Sequence, residues 1–269
     1  MEDFKEMLAQ LYIGYFGRAP EPEGLAFWEE ALEGGFSVQA AAQDFASQPE
    51  TLAQYPYLED PDSSDLGTFR SIVYNNLFGR APDAAGLAFW SDAIEAGLPV
   101  GTAILNIIAG AQGDDVNTLE NKVDLALRWP ELANAETDFE LTPEGIASSR
   151  AALALVTSDP ASIGPDSPAR NALDNFFNDA PSLTLTNTID SLSEDANTSS
   201  RIQVAEISIS DDGLGQNTLS LSGDDAAMFE IEDNKLYLRA GASLDFESAA
   251  SLNIVVNIDD LGISGSPDD

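Results

Sequence analysis

The chain contains no cysteine and no histidine. These two absences exclude much chemistry. Without them there is no Ser-His-Asp triad, no thiolate nucleophile and no imidazole base. Thiolate zinc, iron–sulfur clusters, His-ligated zinc and disulfides are excluded as well. Basic residues are scarce: 11 Lys and Arg stand against 47 Asp and Glu, giving a formal charge of −36. Nucleic-acid binding rests on neutralising phosphates with Lys and Arg, so no nucleic-acid partner is expected. Docking on an anionic lipid surface is disfavoured for the same reason. Long apolar runs are missing too. Patches such as Ala103–Gly110 fall far below the ~20 residues of a membrane-spanning helix, so no transmembrane span is expected. The opening Met1-Glu2-Asp3-Phe4-Lys5-Glu6 lacks the basic and apolar regions of a secretory signal. The chain is therefore expected to be cytosolic, exported without an N-terminal signal peptide, or given without its processed ends.

What is present is oxygen. Carboxylates, amides and backbone carbonyls are the ligands of Ca²⁺ and Mg²⁺. An enzyme made from this composition would rely on paired carboxylates, Lys, Tyr or such a metal. At 269 residues, with 43% hydrophobic, the chain has room for about two domains of ~150 residues, each with a core.

The pattern divides near residue 180. Phe4, Met7, Leu8, Leu11, Tyr12, Tyr15 and Phe16 fall on one face of an α-helix. Thr142-Pro143 and Ser167-Pro168 are helix starts, a cap residue before a Pro in the first turn. They open helices over 144–156 and 169–177, with a loop over 157–166. From Pro181 the period becomes two, as in Ser182–Thr186, Val204–Ile209 and Leu252–Ile258. Turn signals recur between these strands, as in an antiparallel β-sandwich. The expected fold is α then β: a helical domain over 1–180 and a sandwich over 181–269.

The helical part repeats itself. Phe16-Gly17-Arg18-Ala19-Pro20 leads to Gly24-Leu25-Ala26-Phe27-Trp28. Phe78-Gly79-Arg80-Ala81-Pro82 leads in the same way to Gly86-Leu87-Ala88-Phe89-Trp90. Two units, about 5–50 and 67–112, are expected to share a core, with further helices over 115–178. Gly17 and Gly79 would end the first helix of each unit. Asp83 would cap the next helix, and Glu21-Pro22 would do so less well. Gly24 and Gly86, inside that helix, call for a close approach by a neighbour. Arg18 and Arg80 are expected to reach carbonyls or a carboxylate across the turn. The functional alternative makes Trp28, Trp90, Arg18 and Arg80 the lining of a glycan-binding cleft.

This stretch resembles a bacterial helical family built on G-R-x-P-D-x-x-G-L-x-x-W. Gly79-Arg80-Ala81-Pro82-Asp83, Gly86-Leu87 and Trp90 match it in full, while the first copy departs at Glu21. The resemblance covers about residues 5–130. It implies a place in surface-layer proteins, adhesins or repeats-in-toxin exoproteins, with type I secretion through a C-terminal signal. It also implies anchoring to cell-surface polysaccharide or lipopolysaccharide.

Two acidic loops are poor calcium sites. Asp60–Asp65 lacks the Gly and Glu of an EF-hand, and Gly113–Asn117 reads as a helix start. In the β part, the stretch over 182–260 resembles a bacterial cadherin-like repeat. It carries Glu194, the Leu244-Asp245-Phe246-Glu247 run, the exit Asp259-Asp260 and the turn with Asp211, Asp212 and Asn217. The resemblance implies that Glu194, Asp245, Glu247 and the Asp259-Asp260 exit bind Ca²⁺ at one end of an immunoglobulin-like sandwich. It places Asp211, Asp212 and Asn217 at the other end, as a further set of Ca²⁺ ligands. The tail over 261–269 replaces an expected last strand, which leaves an open sheet edge for self-association.

The leading expectation is a non-enzymatic, secreted or cell-surface protein. Its helical repeats would anchor or assemble it, and its calcium-binding module would act as spacer or adhesive unit. The alternatives are a secreted carbohydrate-active enzyme with paired carboxylates and a cytosolic acidic protein suited to high salt.

Overall fold

A computed structural model describes residues 4–58, 66–136, 139–260 and 262–263. The loop Asp60–Asp65 and most of the tail over 261–269 lie outside the described residues. The chain forms two compact units, Met1–Phe176 and Phe177–Asp269. The first is helical and the second is built of antiparallel sheets. No helix among the described residues is long and apolar enough to cross a membrane.

In the helical unit, α1 (Phe4–Phe16), α2 (Pro22–Glu33) and α3 (Val38–Phe45) are matched by α5 (Leu66–Phe78), α6 (Ala84–Glu95) and α7 (Val100–Ala109). Between the trios lies the short α4 (Pro49–Gln54). Equivalent helices pack on each other, α1 on α5 and α3 on α7. That is the self-complementary arrangement of a two-fold dimer, here inside one chain. Gly14 on α1 and its equivalent Asn76 on α5 meet directly, Asn76 Nδ2 donating to the Gly14 carbonyl at 3.3 Å. The α3–α7 crossing is close enough for the Gly101 N–H to donate to Gln43 Oε1 at 3.1 Å.

Both turns after the first helix of each trio close as the sequence predicts. Gly17 and Gly79 are left-handed, with φ of 67° and 69°. Asp83 accepts the Gly86 N–H at 2.6 Å, whereas Glu21 makes no cap bond. Gly24 and Gly86 do admit a close neighbour. It is the hydroxyl of Tyr12 or Tyr74 and the side chain of Glu21 or Asp83, not another helix backbone.

Three more helices complete the unit: α8 (Asp114–Ala133), α9 (Pro143–Ala154) and α10 (Pro168–Asp174). Helix α8 runs through Pro130. Burial of Trp129 on its last turns, stacked on Phe176 at 5.1 Å, offsets the proline. Thr142 and Ser167 cap α9 and α10 by accepting from Gly145 and Arg170. The segment over 157–166 is not all loop, since Pro160–Ile163 forms a 3₁₀ turn. The core holds Leu8, Leu11, Ile13, Tyr15, Phe45 and Leu77, with Tyr12, Phe16 and Trp28 packed around Phe45.

The second unit has β1 (Ser182–Thr186), β2 (Ile202–Ser210), β3 (Asn217–Ser222), β4 (Phe229–Glu232), β5 (Lys235–Leu238) and β6 (Val255–Asp260). One sheet has the order β1-β2-β5-β4 and the other pairs β3 with β6. Asp233 and Asn234, both with φ above +50°, make the tight turn between β4 and β5. A bulge between Gln203 and Ala205 breaks strict alternation, so Val204 and Ala205 are both buried. The last strand begins at Val255 rather than Leu252; Leu252 and Ile254 pack on the core outside any ladder.

Candidate functional site

Glu194 lies in the segment after β1, and Asp245 and Glu247 lie between β5 and β6. The fold brings these distant segments together. Each residue places a carboxylate oxygen within 4.8 Å of the others, and all three are exposed. The arrangement is held by short polar contacts. Asp245 Oδ2 accepts the Ser248 hydroxyl at 2.6 Å, and its Oδ1 accepts the N–H groups of Glu247 and Ser248 at 3.1 and 3.2 Å. These bonds, the Ser248 hydroxyl first, hold the Asp245 carboxyl below the usual carboxylate range. Glu194 Oε2 accepts the Phe246 N–H at 3.2 Å, which ties the two segments. Among the described residues no cation pairs with the three. The unit's two arginines are engaged elsewhere, Arg201 with Glu230 and Glu232 and Arg239 with Glu230 at 3.1 Å.

Asp259 and Asp260 do not join this group, contrary to the expectation. The register pairs Asp260 with Asn217 and Asp259 with Thr218, which puts the exit beside the Asp211–Asn217 turn. The physical reason is the antiparallel β3–β6 ladder: the end of β6 must meet the start of β3. Asp260 is fully buried. Its Oδ1 accepts the N–H groups of Gln216 and Gly262 at 3.0 and 2.8 Å, and its Oδ2 accepts Asn178 Nδ2 at 3.1 Å. Asp212 accepts the N–H groups of Asp179 and Leu214, each at 2.7 Å, and Asn217 Nδ2 donates to Asp211 Oδ2 at 2.8 Å. These carboxylates organise backbone turns. Sequence reasoning missed Asn178, whose buried Oδ1 has no partner among the described residues, and Ser248. Neither stands in a recognisable spacing.

The repeat residues divide in the same way. Arg18 is 4% exposed and Trp28 8%. Arg18 donates to Glu50 through Nε and Nη2 at 3.0 and 2.8 Å, and to Glu21 and the Ala19 carbonyl through Nη1. Neither residue is available to a glycan, so that expectation is corrected for them: their faces are the core of the first trio. Arg80 repeats the clamp on Asp115, with bonds of 2.7 and 2.6 Å, but its side chain is 47% exposed. Trp90 is half-buried and donates its Nε1–H to the Tyr74 hydroxyl at 3.2 Å. Each arginine meets an acid in the first turn of a later helix, α4 or α8. The copies differ because α9 covers the first turn, where Ser149 Oγ accepts the Ala19 N–H and Arg150 Nε donates to the Phe16 carbonyl.

Residues 57–111 match a family model described as a domain of unknown function (DUF4214). The match holds the second motif copy and helices α5 to α7, and it reaches neither the first copy nor the β unit. No curated protein and no solved structure matches the chain.

Proposed function

We propose that the chain is a non-enzymatic protein of the cell exterior whose β unit binds Ca²⁺ through Glu194, Asp245 and Glu247. One observation carries this reading: three carboxylates from two distant segments converge with no Lys or Arg paired to them among the described residues. Like charges gathered in this way are relieved by a bound cation. Ca²⁺ takes six to eight oxygens, so water would complete a site with three carboxylates, and affinity falls in the ~10⁻⁴–10⁻³ M range of extracellular modules. The ion would tie Glu194 to the long segment between β5 and β6 and stiffen that end of the unit, as a spacer or adhesive module requires. The helical unit would serve as the anchoring part, toward cell-surface polysaccharide or lipopolysaccharide. The two-stranded sheet offers open edges for self-association, since neither β3 nor β6 has a second ladder partner among the described residues.

The test is calorimetric titration of the full chain with CaCl₂ beside Glu247→Gln. Millimolar binding in the parent, weakened about tenfold in the variant, supports the reading. Equal heats in both chains, or none in the parent, would overturn it.

A further inference from the structure

The helical unit contains a cleft of about 680 Å³ beside the first repeat turn, away from Trp28 and Trp90. Its size falls within the range of small-molecule sites. Its walls come from the end of α1 (Phe16, Gly17), α4 (Glu50, Gln54), α5 (Asn76) and α9 (Arg150).

The polar groups are fixed before any ligand arrives. Arg150 donates Nε–H to the Phe16 carbonyl at 2.9 Å, and its Nη2 bonds Glu50 Oε1 at 3.0 Å and Gln54 Oε1 at 3.1 Å. Gln54 Nε2 donates to the Tyr55 hydroxyl at 3.0 Å, and Asn76 Nδ2 approaches that hydroxyl at 3.3 Å. The Tyr55 hydroxyl itself donates to the Tyr15 carbonyl at 2.8 Å. Counting what these bonds leave over gives the cleft its chemistry. Arg150 Nη1 and the second hydrogen of Gln54 Nε2 are donors without a partner among the described residues, and Asn76 Oδ1 is an acceptor without one. Charge is balanced, because Arg150 faces Glu50. A carboxylate or phosphate would meet an acceptor and a resident carboxylate, in a chain already carrying −36. A hydroxyl both donates and accepts, so it fits the mixed set. Ile146 supplies apolar surface for carbon–hydrogen faces.

We infer that this cleft binds a neutral polyol of monosaccharide size, its hydroxyls held by Arg150, Gln54 and Asn76. The inference gives the carbohydrate reading of the helical unit a location and rests on that reading. It replaces Arg18 and Trp28, which are buried, with groups that face open space.

The probes are glucose, mannose, galactose and N-acetylglucosamine, with glucuronate as the charged arm, followed by saturation-transfer NMR on the full chain. Two variants are compared. Arg150→Lys keeps the charge and loses the forked donors. Ala53→Trp fills the cleft from an exposed position on its rim. Transfer to at least one neutral sugar, lost in Ala53→Trp and reduced about tenfold in affinity by Arg150→Lys below its own melting transition, supports the site. Sugar binding that survives Ala53→Trp places carbohydrate elsewhere on the helical unit and overturns the cleft alone. Preference for glucuronate overturns the neutral class. No transfer from any sugar removes both the cleft and the carbohydrate reading.

Discussion

Gly101 opens the first turn of α7 where that helix crosses α3. A Cβ built there would lie 2.5 Å from the Gln43 nitrogen, 2.7 Å from the Ala42 carbonyl carbon and 2.8 Å from Gln43 Cα. All three atoms are backbone of a helix, so no rotamer change relieves the clash. Ordinary propensity argues the other way: replacing a helical Gly by Ala gains about 0.5–1 kcal/mol. Overpacking a tight contact costs about 1–3 kcal/mol, and backbone against backbone belongs at the upper end. The net expectation for Gly101→Ala is a loss of about 1–2 kcal/mol. Gly14→Ala is the internal control. It also lies where equivalent helices meet, but the nearest atoms to its Cβ would be side-chain carbons, Leu77 Cδ2 at 3.4 Å and Ile104 Cγ2 and Leu77 Cγ at 3.7 Å, ordinary contact distances. That variant should gain up to about 1 kcal/mol. All three tryptophans, Trp28, Trp90 and Trp129, lie in the helical unit. Urea unfolding of the full chain followed by tryptophan fluorescence therefore reads this unit alone. The midpoint should fall for Gly101→Ala and hold or rise for Gly14→Ala. If both variants move together in either direction, the close α3–α7 crossing is not what requires glycine.

The two arginine clamps should differ in weight. Arg18→Met strands the partly buried Glu21, leaves Glu50 paired with Arg150 alone, and should cost about 2–3 kcal/mol, while Arg80→Met, at a more exposed pair, should cost under about 1 kcal/mol by the same fluorescence assay. Helical stability should also rise with pH and then fall. Lys122 is buried, donating to the Asn76 carbonyl at 2.6 Å, and burial lowers its pKa to about 8. Its folded form therefore sheds the proton before the unfolded form does, and the burial cost is relieved as pH climbs from about 8 toward 10.5. Burial raises Tyr12, Tyr15 and Tyr55 above their usual 10.0, so stability is lost once the unfolded tyrosines ionise above that pH. Melting temperatures at pH 7, 9 and 11 should peak at the middle value, and Lys122→Met should abolish the rise but keep the fall. Calcium at ~10 mM, bound with a Kd of ~10⁻³ M, should stabilise the β unit by about 1.4 kcal/mol. In scanning calorimetry that is a shift of several degrees in the β transition, absent in Glu247→Gln.

Local rules were enough for much of this molecule. The change from period 3.6 to period two near residue 180 appears as the change from helices to sheets, because burial of one face is decided residue by residue along the chain. The turns at Gly17 and Gly79, the caps at Asp83, Thr142 and Ser167, and the weak start at Glu21 follow from backbone dihedrals and side chains within four residues. The reach of Arg18 and Arg80 to carboxylates was also legible, since each arginine leaves a helix end in a fixed direction. What the sequence could not decide was which copy is covered. Arg18 is buried and Arg80 exposed because α9, more than a hundred residues downstream, closes over the first turn only. The same limit applies to the acids. Glu194 meets Asp245 and Glu247 through loop closure across the strands, whereas Asp260 is carried to Asn217 by ladder register. Composition named 47 acids alike; only long-range packing sorted those that face one another from those that hold a turn.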